Sequence, residues 1–182
     1  DVLDYVCEIF PSKYIHIGGD EAPKYRWEHC PKCQQRMKEQ DLRDEEALQG
    51  WFNTRIENYL AAKGKQIIGW DEILEGGLSP KATVQSWRGF EGAQHAAEQG
   101  HDAIVSPTSH AYFDYPVSSI DVPKVYDFNL YPEKLDRFTH GHHIIGGECN
   151  LWSERIPDIE TLDRRFLPRG IAMSEVLWSH PA

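Results

Sequence analysis

The sequence predicts an α/β fold with a parallel sheet, and three observations carry that expectation. Short β-rich runs alternate with helical stretches along the chain. The runs are short and apolar, as strands buried on both faces are. Acidic and aromatic residues recur where those runs end, and strand C-termini are where a (β/α)8 barrel gathers its active site.

The elements follow in order. Residues 1–10 read as the tail of a helix, and residues 13–17 as a strand that stops at Gly18-Gly19. A helical stretch covers roughly 31–40. Residues 45–63 form an amphipathic helix in which Leu48, Trp51, Phe52, Ile56, Tyr59 and Leu60 share one face, and Gly64 ends it. Residues 66–70 and 82–87 are further strands. A short helix over 91–99 closes at Gly100, and 102–106 is a fourth strand. From Pro107 to about Pro132 the chain is irregular and rich in aromatics and prolines. Residues 143–148 form a fifth strand, and 160–178 a helix interrupted near Pro168.

Composition narrows the function classes. The 182 residues are 40% hydrophobic and 26% charged, which suits a globular chain and excludes a disordered one. The length suggests one domain. A formal net charge of −10 argues against nucleic-acid binding and a polyanionic substrate, and is compatible with a neutral sugar. No apolar run reaches the ~20 residues of a membrane span. Asp1-Val2-Leu3-Asp4 is acidic where a signal peptide would be basic, which in a fragment says nothing of secretion. Cys7, Cys30, Cys33 and Cys149 are too few to build a disulfide scaffold. Cys30-Pro31-Lys32-Cys33, beside His29, has the spacing of half a zinc site. With no second such pair, loop cysteines or a local disulfide is the preferred reading.

The chemistry concentrates at strand ends: Asp20-Glu21, Trp70-Asp71-Glu72, Trp87-Arg88, Tyr112-Phe113-Asp114 and Trp152-Ser153-Glu154. Charges alone mark loop starts anywhere. Repeated tryptophans need something flat and apolar to cover, as the face of a pyranose ring is. In His16-Ile17-Gly18-Gly19-Asp20-Glu21 two glycines permit a tight turn before two adjacent acids. Neighbouring carboxylates repel, and glycoside hydrolysis needs one carboxylic acid that keeps its proton. Partial burial of Glu21 is expected to help. Taken alone, the pair reads better as a solvated loop acid pair, or a metal site with His16, than as a catalytic pair.

The wider pattern resembles family 20 of the glycoside hydrolases, the β-N-acetylhexosaminidases. HIGGDE is similar to that family's HxGGDE signature. The blocks 68–72 (IGWDE), 84–89 (VQSWRG), 111–116 (AYFDYP), 146–154 (GGECNLWSE) and 169–178 (RGIAMSEVLW) look like its later blocks, in order. The resemblance implies a retaining, exo-acting enzyme working by substrate-assisted catalysis, without a cofactor or metal. It implies Glu21 as general acid/base, Asp20 as anchor of the 2-acetamido N–H, and Tyr112 as donor to the acetamido oxygen. Trp70, Trp87 and Trp152 would wall the pocket, and Asp114 and Glu154 would bind hydroxyls. Asp71 and Glu72 would support the site or form salt bridges. His16 is expected in the core, and His110 on an exposed loop, with lining of the pocket near Tyr112 as the alternative reading. Trp27, Trp51 and Trp178 should pack core or helix faces, and His140, His142 and His143 should form a solvated turn.

The resemblance also implies a (β/α)8 TIM barrel that is partial here, with about strands 4–8 in residues 1–182. A whole barrel takes ~250 residues. The expected partners are N-acetylhexosamine glycans, with no nucleic acid and no membrane. An open barrel edge is expected to pair with a second copy or to be covered by the rest of a longer parent. By family analogy that parent works in a periplasmic, extracellular or lysosomal compartment. Two other readings stay open: a sugar-binding fragment without catalysis, and a metal-dependent hydrolase using His16, Asp20, Glu21 and Asp71.

Overall fold

The computed structural model describes residues 2–179, which divide into two compact units at 84/85. The first unit runs α1 (Val2–Ile9), β1 (Tyr14–His16), α2 (Tyr25–Glu28), α3 (Pro31–Glu39), α4 (Glu45–Ala61), β2 (Gln66–Trp70) and a 3-10 turn (Asp71–Leu74). Strand β3 (Thr83–Ser86) straddles the division. The second unit holds α5 (Glu91–Glu98), β4 (Ala103–Val105), α6 (Val122–Tyr126), α7 (Arg137–His140), β5 (Ile144–Gly147), α8 (Ile159–Phe166) and α9 (Arg169–Trp178). The expected strands and long helices are all present. The short helices α2, α6 and α7 were not anticipated; at four or five residues they carry too little periodicity to be read from sequence.

In the first unit β1 and β2 pair in parallel, with Ile15 opposite Ile67. Both are buried, as residues covered by a crossover helix should be. That crossover contains α4, whose N-cap is Asp44: its carboxylate accepts from Ala47 N at 2.8 Å. The face that α4 turns inward differs from the expected one. Leu48 and Leu60 are buried as anticipated, but Phe52 and Tyr59 are exposed. The buried stripe is Leu48, Gln49, Gly50, Asn53, Glu57 and Leu60. Gln49, Asn53 and Glu57 repeat every four residues and so share one face. Two of them meet backbone groups that otherwise lack partners: Gln49 Nε2 donates to Gly19 O at 2.7 Å, and Glu57 Oε1 accepts from Lys81 N at 2.6 Å. A buried unsatisfied backbone group costs about 1–3 kcal/mol, comparable to the gain from burying an aromatic ring. The outer rings are still covered in part. Trp51 lies between the guanidinium groups of Arg36 and Arg55, each 5.1 Å from its ring, and its Nε1 donates to Gln40.

Gly50 on α4 approaches Gly76, in the segment after the 3-10 turn, so closely that a Cβ on either would overlap the other's backbone or that of Glu46. The sequence needs glycine at both places for steric reasons alone.

In the second unit β4 and β5 pair in parallel, with a register shift between Ala103 and Ile104. Hydrogen bonds from Ser106 N to Ser86 O and from Thr108 N to Trp87 O, both 2.9 Å, tie the end of β3 to the chain beyond β4. Helix α9 buries Ala172, Met173 and the whole side chain of Arg169, while α8 buries no residue. Trp178, expected to pack, is 93% exposed at the end of α9. It follows the last buried turn of that helix and has nothing in the described residues to lie against.

Two glycine substitutions separate sterics from backbone conformation. Gly76→Ala should lower unfolding stability by about 3 kcal/mol. Gly64→Ala, where φ is +71° but the space is open, should lower it by only about 1 kcal/mol. Chemical denaturation of the two variants measures both, and equal losses would contradict the steric account.

Candidate active site

In the first unit the site begins where β1 ends. Gly18 and Gly19 have φ of +75° and +102°, and Glu21, which is not glycine, has φ of +44°. The left-handed region costs an ordinary residue about 1–2 kcal/mol, and such strain concentrates at functional positions. The turn is held from several sides. Gly18 O accepts from Trp70 N at 2.9 Å, and Gly18 N donates to His16 Nδ1 at 3.1 Å. Gly19 lies so close to Ile73 that a Cβ there would stand 2.6 Å from Cγ2. Lys24 Nζ donates to Ala22 O at 2.9 Å and to Gln49 Oε1, and pairs with Glu46 at 3.3 Å. Gln49, Lys24 and Glu46 thus fix the loop from beneath. None was singled out from sequence, although the four-residue repeat Gln49, Asn53, Glu57 was visible there.

Asp20 and Glu21 are both exposed, so the partial burial expected of Glu21 is not found. A turn that projects two acids past a strand end leaves them no covering element in this unit. Trp70 is half-buried, its ring 4.9 Å from that of His16 and tilted by 58°. His16 is exposed rather than a core residue, because alternation along β1 turns Ile15 inward and His16 outward. Asp71 is 2% exposed in the 3-10 turn. No group of three or more His, Cys, Asp or Glu residues among those described is arranged to hold a metal ion.

In the second unit an aromatic cluster surrounds Tyr112. Trp87 stacks on it at 6.1 Å between centroids and 26° between planes. Tyr115 lies at 5.9 Å and Trp152 at 6.4 Å. Tyr112 is 6% exposed, whereas Trp152 is 42% exposed and forms the open edge. A parallel bridge sets the position of Tyr112: Phe113 N donates to Asn150 O and Asn150 N to Ala111 O, each at 2.7 Å. Below it, buried Gln85 donates to Ser106 Oγ at 3.1 Å and to Glu148 Oε1 at 3.0 Å.

Asp114 is 2% exposed, and its Oδ1 has no hydrogen-bond partner. Its Oδ2 lies 3.8 Å from Arg155 Nε, and the Arg155 guanidinium lies over the Tyr115 ring at 4.8 Å. A buried carboxylate oxygen without a partner is rare in a folded protein. Glu154, expected to act with it, is exposed on a 3-10 turn (Ser153–Arg155).

Arg169 holds this loop in place and went unnoticed in the sequence. It is fully buried. Its guanidinium donates to Phe113 O at 2.6 Å, Ile120 O at 3.0 Å and Tyr115 O at 3.3 Å, and Nε donates to Arg165 O at 2.8 Å. Arg165 in turn donates to Asp114 O. Burial lowers the pKa of Arg169 from its ordinary value and Arg165 adds to this, against the opposing charge of Asp114. An arginine inside a family block would have marked the position, but only the loop carbonyls explain why it is arginine.

His110 is half-buried rather than the exposed loop residue expected. It lines a cavity of about 540 Å3 with Phe90, His95, Asp127, Tyr131 and Glu133, its ring 6.0 Å from Phe90 and 6.1 Å from Phe128. A turn in which Ala111 N donates to Pro107 O separates His110 from Tyr112. Burial, and then the charge of Lys124, lower the pKa of His110. Among the three later histidines, His143 Nδ1 lies 3.1 Å from Asp102 Oδ1, and the His142 ring is 4.0 Å from that of His143.

One unit holds a strained acidic turn, and the other an aromatic cage with a desolvated carboxylate. Comparison with known proteins defines the class. The family model described as "Glycosyl hydrolase family 20, catalytic domain" matches residues 1–181, and the chain belongs to that family. Catalytic domains of the family are TIM barrels, and the α/β fold with parallel strands is part of one. The chain is 42% identical over 191 residues to a β-hexosaminidase of Porphyromonas gingivalis, covering 98% of this chain and 24% of that protein. It matches the X-ray structure of a Flavobacterium johnsoniae chitobiase with a TM-score of 0.85 and 34% identity, over 97% of this chain and 27% of the other. An exo-β-N-acetylglucosaminidase from Vibrio harveyi, solved in complex with N-acetylglucosamine, matches with a TM-score of 0.86 and 29% identity. That match covers 100% of this chain and 31% of the other. The chain therefore spans about a quarter to a third of the length of these relatives.

Arg169→Met should lower unfolding stability by about 3 kcal/mol or more, since several buried carbonyls lose their donor together. Arg169→Lys should not restore it, because an ammonium cannot reach the same fork of acceptors. A lysine variant as stable as the parent in urea denaturation would refute the account. A second test concerns pH. His110 has a folded pKa below its unfolded value of about 6.5. As pH falls through that value the unfolded chain takes up a proton that the folded one resists, so stability drops until the folded pKa is passed. His110→Gln should flatten the slope of stability against pH below about 6.5, read from melting temperatures across that range.

Proposed function

We propose that the full-length protein containing this chain is a retaining exo-β-N-acetylhexosaminidase that removes terminal non-reducing N-acetylglucosamine or N-acetylgalactosamine from glycans. We further propose that residues 1–182 are the C-terminal portion of its single catalytic domain. The observation that carries the reading is Tyr112 caged by Trp87 and Trp152, with a buried, unpartnered Asp114 oxygen two residues along. That combination supplies an apolar wall for an acetamido methyl and a pyranose face, a phenol that can donate to an amide oxygen, and an acceptor for a hydroxyl.

Catalysis follows from these parts and from the acidic turn. Glu21, as the carboxylic acid, gives its proton to the glycosidic oxygen, and the bond from that oxygen to the anomeric carbon breaks. The carbonyl oxygen of the substrate's own acetamido group attacks the anomeric carbon from the opposite face and forms an oxazolinium ring. The nucleophile is already tethered, so positioning it supplies much of the rate. Tyr112 donates to that oxygen and orients it. Asp20 accepts from the acetamido N–H and stabilises the positive charge that the ring acquires. Glu21, now a carboxylate, takes a proton from water as the water attacks the anomeric carbon and opens the ring. Two inversions leave the β-configuration retained. Trp70, Trp87 and Trp152 cover the apolar sugar faces, and Asp114 and Glu154 accept from hydroxyls at the non-reducing end. No cofactor enters these steps.

The full-length protein should release nitrophenol from 4-nitrophenyl N-acetyl-β-glucosaminide. Glu21→Gln should lower kcat by about 10²–10⁴, and Tyr112→Phe by about 10²–10³. Asp20→Asn should lower kcat as well. Unchanged turnover in both Glu21→Gln and Asp20→Asn would end the assignment. Calorimetric binding of N-acetylglucosamine without any turnover by the parent would favour a sugar-binding role instead.

A further inference from the structure

The Cys30-Pro31-Lys32-Cys33 run has no part in the glycosidase chemistry, and its geometry is specific. Cys30 is the N-cap of α3, with extended backbone at φ −89° and ψ 114°, and Pro31 opens the helix. Its backbone is fixed on both sides: Cys30 N donates to Trp27 O at 3.2 Å, and Gln34 N donates to Cys30 O at 3.0 Å. Cys30 thus stands at the N-terminus of α3, where the free N–H groups of the first turn carry partial positive charge, and its side chain makes no capping hydrogen bond. Both thiols are free and half-buried, so small solutes reach them. The Cα atoms of residues three apart in a helix lie about 5 Å apart, inside the Cα window that a disulfide needs. The described residues offer the pair no further ligand for a metal centre.

We propose that Cys30 and Cys33 form a redox-active dithiol, a modification site that exchanges with low-molecular-weight disulfides of the glutathione type and closes reversibly into an intramolecular disulfide. Cys30 is the attacking sulfur. Its place at the helix N-terminus favours the thiolate, and the neighbouring Cys33 N–H, Cys33 thiol and Lys32 N–H bring its pKa down. Cys33 is the resolving sulfur; donating to Cys30 raises its own pKa, burial adds to this, and so it stays protonated until a mixed disulfide has formed. The step balances as follows. The Cys30 thiolate attacks one sulfur of the small disulfide, whose S–S bond breaks, and one small thiolate leaves. Cys33 then loses its proton and attacks the Cys30 sulfur, and the second small thiolate leaves. The two cysteines are oxidised by two electrons, the small disulfide is reduced by two, and its two thiolates take up the protons.

The remaining cysteines are internal controls. Burial raises the pKa of Cys149, and Cys7 lies on α1. Neither has a cysteine partner three residues away.

The experiment uses the full-length protein in glutathione redox buffers, quenched in acid, alkylated and mapped by mass spectrometry. In excess oxidised glutathione the peptide holding both cysteines should lose two hydrogens, and reduction should restore them. At neutral pH, iodoacetamide should modify Cys30 about tenfold faster than Cys7 or Cys149. Cys33→Ser should trap a glutathione adduct on Cys30, whereas Cys30→Ser should trap far less on Cys33. The proposal is overturned if the pair stays reduced in excess oxidised glutathione. It is equally overturned if Cys30 reacts no faster than Cys7, or if the purified protein holds both thiols on zinc.

Discussion

The site rests on the need of backbone carbonyls beyond strand ends for hydrogen-bond donors. Once the chain leaves the ladder at Gly18, or beyond β4 at Phe113, its carbonyls have no strand partner, and several are shielded from water. Two buried side chains meet that need. Gln49 donates to Gly19 O, and Arg169 donates to Phe113, Tyr115 and Ile120. Each bond contributes only about 1 kcal/mol, but leaving the acceptor bare costs about 1–3 kcal/mol. That asymmetry explains why α4 turns a polar stripe inward and leaves Phe52 and Tyr59 outside. It also explains an arginine with no exposed surface in α9.

With the carbonyls held, the turns they belong to can carry strain. Glu21 keeps a left-handed φ of +44° that favours glycine, while Gly18 on one side and the Lys24 network on the other are each tied down. An acid held this way has little conformational freedom left to lose when it meets a substrate. The same logic operates at Asp114. Its main-chain oxygen is taken by Arg165, its Oδ2 faces Arg155, and in the proposed reaction its unpartnered Oδ1 accepts from a hydroxyl. Preorganisation here is largely a property of residues that never touch the sugar in the proposed reaction.

The dithiol at the start of α3 uses the same physics with a different acceptor. Helix N-termini carry unsatisfied N–H groups, and a thiolate at the N-cap is favoured by their partial charge. Ser or Asp at that place would cap the helix as well, so cysteine at both ends of the first turn adds chemistry that capping alone does not require.

The strands, the long helices and the family were legible in the sequence because each depends on local pattern. Alternation and short apolar runs marked β1 to β5, glycine marked the ends of α4 and α5, and HIGGDE with the later blocks marked the kind of site. Tertiary structure alone decided which face of α4 is buried, that His16 and Trp178 are exposed, and that His110 lines a cavity with Phe90. The reason is physical. A period of 3.6 says that a helix forms, but both an apolar and a polar stripe of α4 had that period. The choice between them was made by an unpaired carbonyl thirty residues earlier in the chain, at Gly19.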